Sequence, residues 1–483
     1  MQNWLIKQAT AKPDKLALIY QGQHLNFKEL LNKVRQVASG LVALKIRKAD
    51  RIAVLASNTA NSYFVILALQ QIGALPVLLN YRLSLSEISQ QVRLSKVKLL
   101  LIDDDLQLNW SSAELLRIKT FKLSQLFRLA VSKVTLEKEF ALNEVASIMY
   151  TSGTTGQPRG VVQTFGNHFF SAVGSAFNLG LDPAELWLCA LPLFHISGLS
   201  IMMRSLIYGM GVLLLPHFST ESVNKALQTS PVTLMSVVPQ MLQQLLTEFP
   251  ATGYQPKFRG FLLGGGPIDL ATLNRCRQLN LPVVQSYGMT ETCSQVVALS
   301  FADAPRHIGS VGKPLFPIQL RLSKSDAEIQ LKGPNIVTTY LDNPASFQQQ
   351  MTADNWFKTG DIGYFDQTGY LYVKGRKNEM IISGGENIFP QEIENVYQNY
   401  DSVTEFAVIG VPDQKWGQVP CAFFTARKRI DSRLLKAYGY QQLAHYKVPH
   451  YFCQLDQMPK TASQKIIRPA LFKAFEKFKS RLS

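Results

Sequence analysis

Several things are scarce in this sequence, and each scarcity excludes something. It has only five cysteines, Cys189, Cys276, Cys293, Cys421 and Cys453, an odd number with no CxxC spacing. That pattern excludes a disulfide scaffold and a thiolate zinc site, and it predicts buried free thiols in a reducing cytoplasm. The seven histidines show no HxxxH or HExxH spacing, which removes the common zinc-hydrolase pattern. Long apolar runs are missing too: stretches such as Phe64–Leu69 and Val212–Leu215 fall well short of the ~18 residues that span a bilayer. The opening stretch MQNWLIKQATAKPDK is broken by Lys7, Gln8 and Lys12, so it lacks the apolar core of a signal peptide. Charged residues make up only 17% of the chain, and acidic ones are the fewer, 34 against 50 Lys+Arg, for a formal charge of +16.

What is present is a chain of 483 residues that is 46% hydrophobic, which excludes a disordered or fibrous protein. At roughly 150 residues per domain the length allows about three folding regions with large cores. The positive charge attracts acidic partners of any kind. No RNP1-type aromatic strand, zinc finger or basic heptad region accompanies it, so small anionic ligands are expected rather than nucleic acid. Part of the excess is local: residues 427–483 hold thirteen Lys/Arg against three Asp/Glu.

Apolar spacing predicts the organisation. Phe27, Leu30, Leu31, Val34, Val37 and Leu41 recur at helical intervals behind a candidate N-cap, Asn26. Strands are predicted at Arg51–Leu55, Pro76–Leu79 and Lys98–Ile102, separated by helices over 61–71 and 84–94. Strand–helix alternation of this kind argues for parallel-rich α/β sheets. Near residue 376 the pattern changes to a helix over 392–400 and strands at Phe406–Val411 and Cys421–Thr425. The expected architecture is α/β: a large body of several subdomains over residues 1–375, and a small, mobile α+β domain over 376–483.

The most informative segment is Tyr150-Thr-Ser-Gly-Thr-Thr-Gly-Gln-Pro-Arg-Gly-Val161. A strand, Ala146–Tyr150, runs into a loop of hydroxyls and glycines, and a helix is predicted from about Thr164. Glycine lets backbone N–H groups approach an anion, and Ser/Thr hydroxyls add donors to phosphate oxygens. Arg159 adds a forked cation. No Gly-Lys-Ser/Thr follows, so this is not a Walker A loop.

This loop resembles the phosphate loop of the adenylate-forming superfamily, which includes acyl-CoA synthetases, luciferases and peptide-synthetase adenylation domains. Further segments follow in that family's order: Pro192–Gly198, Leu263–Pro267, Ser286–Thr292, Trp356–Asp361, Gly375–Pro390 and Pro459–Arg468. The resemblance covers essentially the whole chain. It implies ATP and CoA as substrates with Mg²⁺, and an N-terminal nucleotide site built from Thr151, Ser152, Gly153, Thr154, Thr155, Arg159, Gly265, Gly266, Ser286, Tyr287, Gly288, Asp361 and Arg376. In this reading Tyr287 stacks on the purine, Thr290 donates to phosphate and Glu291 holds the metal. Gly264–Gly266 let the adenine lie against bare backbone, and Asp361 accepts from the ribose hydroxyls beside Arg376.

Lys465 carries the first step in this reading, bridging carboxylate and α-phosphate as a mobile ammonium. Asn378 stands at the hinge of a rotating C-terminal domain, and Ser383, Gly384 and Gly385 face CoA. Three positions depart from the usual pattern: Arg159 where lysine is commoner, Gln464 where glycine is usual, and Asn378 where the hinge is usually Asp or Lys.

The stretch from Val162 to Gly180, with Ala190–Ser200 and Gln285–Gln295, narrows the resemblance to members that load 2-succinylbenzoate onto CoA in menaquinone biosynthesis. That acid carries two carboxylates and a ketone, so one carboxylate is activated while the other must be recognised. Arg204, in the apolar stretch Ile201–Gly209, is the candidate for this recognition. Ser294 and Gln295 are assigned to the ketone or ring carboxylate, and His195 to the acyl pocket. A ligase for a fatty or simple benzoic acid stays open as the alternative. Expected partners are small molecules, with no nucleic acid and no stable membrane insertion; a homo-oligomer is left open.

Overall fold

A computed structural model describes residues 1–106, 118–129, 134–152, 158–182, 184–460 and 466–479, and of Ser152 the backbone. Gly153, Thr154, Thr155, Gln464 and Lys465 lie outside the described residues.

Among the described residues the chain forms four sheets. The first has six strands, and its centre is the predicted alternation: Leu99–Ile102, Arg51–Leu55, Leu75–Leu79 and Val145–Ser152 (β1) run parallel. Pro158–Thr164 (β2) closes its edge antiparallel to β1. Within the expected loop Tyr150–Val161, the described ends lie on paired strands, with Arg159 opposite Thr151, and residues 153–157 lie outside the described residues. Thr164 then caps the helix Phe165–Leu179 (α1) through a bond from the Asn167 N–H.

The second sheet has nine strands and carries Val283–Met289 (β3) and Ser294–Ala298 (β4) at one side. The helix Ile196–Tyr208 (α2) packs against α1 and carries Arg204. A four-stranded antiparallel sheet includes Phe357–Phe365 (β5) and Leu371–Arg376 (β6), with Asp361 directly opposite Arg376. The last sheet begins at Ile381 and has five strands, four of them at Ile381–Ser383, Glu386–Ile388, Val403–Asp413 and Gly417–Ala426. Tyr451–Gln454 completes it, parallel to Gly417–Ala426.

Local chemistry explains the element ends. Asn26 caps Phe27–Ala43 in a capping box with Glu29, and Ser84 does the same with Glu87 for Leu85–Ser95. Central parallel strands are apolar throughout because helices cover both faces; Leu99, Leu100, Leu101 and Ile102 are all buried. All five cysteines are buried and free. No helix of the described residues is long and apolar enough to cross a membrane.

Candidate active site

The antiparallel rung between β5 and β6 places two of the expected nucleotide residues in contact. Arg376 Nε lies 2.8 Å from Asp361 Oδ1, and the Tyr287 hydroxyl donates to Asp361 Oδ2 at 2.6 Å. Asp361, read in isolation a solvated loop carboxylate, is 5% exposed in the middle of a strand. Arg376 is further tied to the Thr359 carbonyl at 3.1 Å, so the guanidinium and carboxylate are held in register by backbone. Burial, with the Asp361 charge close by, raises the Tyr287 phenol well above its ordinary value and keeps it a donor.

Below the Tyr287 end of β3, Thr290–Thr292 form one tight 3₁₀ turn. Gly288 is required there by close approach: a Cβ would sit 2.1 Å from the Ser294 carbonyl oxygen. Glu291 leaves the turn toward Tyr340, whose hydroxyl donates to Oε1 at 3.1 Å. Burial raises the Glu291 pKa, and the Arg159 guanidinium stands over the Tyr340 ring, 5.5 Å from its centroid. No cluster of three or more His, Cys, Asp or Glu side chains able to cage a metal exists among the described residues. A lone carboxylate suits Mg²⁺, which keeps several waters and takes phosphate oxygens. Tyr340 was not legible as a site residue, since nothing in its local sequence marks it.

Gly264–Gly266 follow the strand Gly260–Leu263, and the Ser286 hydroxyl donates to the Leu263 carbonyl at 2.9 Å. Gly265 has φ +83°, a backbone region that excludes most side chains, and this loop presents bare backbone beside β3.

The acid side of the site is centred on Arg204, which is 1% exposed. Its Nη2 donates to Gln295 Oε1 at 2.7 Å and to Ser294 Oγ at 3.2 Å, and the guanidinium stands 5.3 Å from the Trp187 ring centroid. Nε and Nη1 are buried without a hydrogen-bond partner among the described residues. Desolvation pulls the Arg204 pKa down, opposed by the neighbouring Tyr208. Gln295 is used on both sides, since its Nε2 donates to Ser175 Oγ at 3.0 Å. The structure thus brings Ser294 and Gln295 to Arg204 itself. His195 caps α2 with backbone only and lies against Phe194, ring centroids 4.7 Å apart. Burial, and secondarily the Arg82 charge, lower its pKa to about 4, so it is neutral near pH 7.

On the C-terminal side, Gly384 and Gly385 form the left-handed turn between Ile381–Ser383 and Glu386–Ile388. The Trp416 ring closes over Gly384, where a Cβ would meet it at 2.6 Å. Asn378 sits in the turn Lys377–Glu379 between two anchored neighbours. Lys377 Nζ pairs with Asp326 at 2.5 Å and Glu328 at 3.5 Å, both in the strand region before Asn378. Glu379 pairs with Arg468 at 3.0 Å, and Arg468 also holds Glu394 at 2.8 Å, both in the region after it.

A hydroxyl- and glycine-bearing strand pair, a buried carboxylate–arginine rung, a lone carboxylate for a hard cation and a small second domain beyond a single turn together define an adenylate-forming architecture. The chain belongs to the AMP-binding enzyme family: residues 5–341 match that family, and residues 392–465 match the AMP-binding enzyme C-terminal domain. Its relatives include the 2-succinylbenzoate--CoA ligase of Listeria monocytogenes serotype 4b, 45% identical, with 98% of this chain and 99% of the relative covered. Among solved structures, o-succinylbenzoate CoA synthetase from Bacillus subtilis in complex with the acyl-adenylate intermediate OSB-AMP is 41% identical with a TM-score of 0.93, covering 98% of each chain. The same synthetase in complex with ATP and magnesium ion gives a TM-score of 0.92 at 40% identity, covering 97% of this chain and 99% of that one.

Proposed function

We propose that the protein ligates 2-succinylbenzoate to CoA through an acyl-adenylate, giving 2-succinylbenzoyl-CoA, AMP and pyrophosphate, in menaquinone biosynthesis. The observation that carries the choice of acid is Arg204. A fully buried guanidinium with only neutral partners and two idle nitrogens is costly unless an anion completes it. The second carboxylate of a dicarboxylic acid supplies that anion. A fatty acid or simple benzoic acid has none to offer.

In the first half-reaction the succinyl carboxylate oxygen attacks the α-phosphorus and the bond to pyrophosphate breaks. Asp361 orients the ribose, with Arg376 and Tyr287 fixing its carboxylate; Arg159 and Thr290 meet phosphate oxygens, and Lys465 bridges the two reacting anions. Glu291 holds the Mg²⁺ carried by ATP, which neutralises phosphate charge when bound. Neutral His195 lines the acid's approach without adding a second cation. In the second half-reaction the C-terminal domain turns about Asn378, withdraws Lys465 and brings Ser383–Gly385 to the site. The CoA thiol then gives its proton to solvent, its sulfur attacks the acyl carbon, and AMP leaves with the bonding pair. The reaction takes place in the cytoplasm, where ATP and CoA are available.

Pyrophosphate release measured across a panel of acids tests the assignment. Turnover with 2-succinylbenzoate at least about ten-fold above any monocarboxylic acid is expected. Preference for a long-chain or simple aromatic acid sinks it.

A further inference from the structure

The segment Thr290–Gln295 joins the two halves of the site: its first residues belong to the phosphate and metal side, its last to Arg204. Its backbone is strained, with Cys293 at φ +52° and Ser294 at φ +100°, neither of them glycine. Such conformations persist only where the surroundings over-determine them.

Here the surroundings are four side-chain donors and one backbone N–H. The Thr290 carbonyl accepts from Gln163 Nε2 at 2.9 Å, and the Thr292 carbonyl from Asn335 Nδ2 at 3.4 Å. The Cys293 carbonyl accepts from Ser171 Oγ at 2.6 Å, and the Ser294 carbonyl from Thr292 Oγ1 at 2.7 Å. The Glu291 carbonyl accepts from the Val337 N–H at 2.9 Å. Five consecutive carbonyls are therefore each held from outside the ordinary strand ladder.

Two of those donors come from the β2–α1 stretch and are buried behind the site. Gln163 is 0% exposed and Ser171 3%. Gln163 is itself locked: its Oε1 accepts from Ser147 Oγ at 2.7 Å, and Ser147 Oγ lies 3.1 Å from His168 Nε2. The Thr290 carbonyl can only accept, which fixes the amide of Gln163. Ser147 then gives its proton to Gln163 and must accept from His168, which carries a proton on Nε2. Proton order runs one way along this line, from α1 to the Thr290 carbonyl. Four polar groups buried in this way are not needed to pack a helix on a sheet.

We propose that Gln163 and Ser171 are positioning residues of the reaction, Gln163 setting the phosphate-side turn at Thr290–Glu291 and Ser171 setting the Cys293–Gln295 bend that presents Arg204 to the acid. The assignment of the acid side rests on the reading of Arg204 above; the Gln163 side does not.

Three variants test it: Gln163→Met, Ser171→Ala and Ser171→Thr. MgATP binding is measured by calorimetry with no acid present, and kcat and KM for 2-succinylbenzoate by pyrophosphate release. Loss of one buried hydrogen bond in a strained turn predicts about ten-fold weaker MgATP binding for Gln163→Met, with the acid KM within about two-fold. Ser171→Ala is expected to raise the acid KM about five- to ten-fold with MgATP binding within about two-fold, and Ser171→Thr to restore it. Unchanged binding in both, or equal loss on both sides that follows a fall in melting temperature, overturns the proposal. A wild type that uses other acids but not 2-succinylbenzoate sinks the substrate reading instead, while the calorimetry on Gln163→Met and the Ser171 effect on whichever acid is used still decide this one.

Discussion

Arg204 donates to Gln295 Oε1 at 2.7 Å from a position 1% exposed, and Gln295 brings no charge to balance it. A buried guanidinium without a counter-charge is costly, and under the proposed function the second carboxylate of the acid supplies that charge.

Replacing Arg204 by Met therefore separates stability from function. Its melting temperature should stay level or rise, because an unpaired buried cation is replaced by an apolar chain of similar length. kcat/KM for 2-succinylbenzoate should fall on the order of 100-fold or more, equivalent to about 3 kcal/mol. A variant that melts much earlier and loses all acids equally would make Arg204 a structural residue.

The rung between Asp361 and Arg376 predicts a nucleotide defect. Asp361→Asn keeps the shape but removes the charge that Arg376 Nε meets at 2.8 Å. Loss of about 2 kcal/mol, or roughly 30-fold in kcat/KM for ATP, is expected in pyrophosphate release. Tyr287→Phe, which removes only the donor to Asp361, should cost less. The reverse order would contradict this geometry.

Anchoring on either side of Asn378 predicts a split between half-reactions. Asn378→Pro fixes φ at the turn and should leave adenylate formation largely intact while slowing thioester formation from preformed adenylate by more than about ten-fold. Lys465→Ala should do the opposite. Single-turnover assays of each half-reaction read both, and equal loss in the two halves for either variant refutes the assigned roles.

The buried histidines set the acid side of the stability curve. Desolvation chiefly, with the Arg204 charge, lowers His168 to about 3, and burial lowers His195 to about 4, against about 6.5 in an unfolded chain. Between those values the unfolded chain binds protons that the folded one refuses. Stability is therefore full above pH ~6.5 and falls as pH drops through that window, by up to about 1.4 kcal/mol per pH unit for each histidine. Chemical denaturation of His168→Gln between pH 7 and 5 should show a shallower slope than wild type. An identical slope would mean that His168 is not held neutral.

The alternation of strands and helices was legible because a helical period or a short unbroken apolar run is a local property; Arg51–Leu55 ends where the pattern predicts. The family was legible for a similar reason, since the segments that resemble it are each short and continuous in sequence, and residues 5–341 and 392–465 match it. Pro158–Thr164 was missed as a strand because its pairing with Val145–Ser152 is what makes it one. The contacts of Tyr340, Gln163 and Ser171 with Thr290–Cys293 were not legible because none of the three has a sequence neighbour among the groups it holds.

By itself, then, the sequence determined the chemistry on offer: a basic chain with scattered cysteines, a hydroxyl- and glycine-rich segment suited to phosphate, one arginine in an apolar stretch and a lysine near the C-terminal end. Tertiary structure alone decided that, among the described residues, Arg204 meets no carboxylate and that Ser294 and Gln295 turn toward it. It also decided that two carbonyls of one strained segment, those of Thr290 and Cys293, are held by Gln163 and Ser171 from the β2–α1 stretch. The physical reason is that burial and hydrogen-bond satisfaction are set by which distant segments pack together, and no local pattern of residues encodes how many partners a side chain will find there.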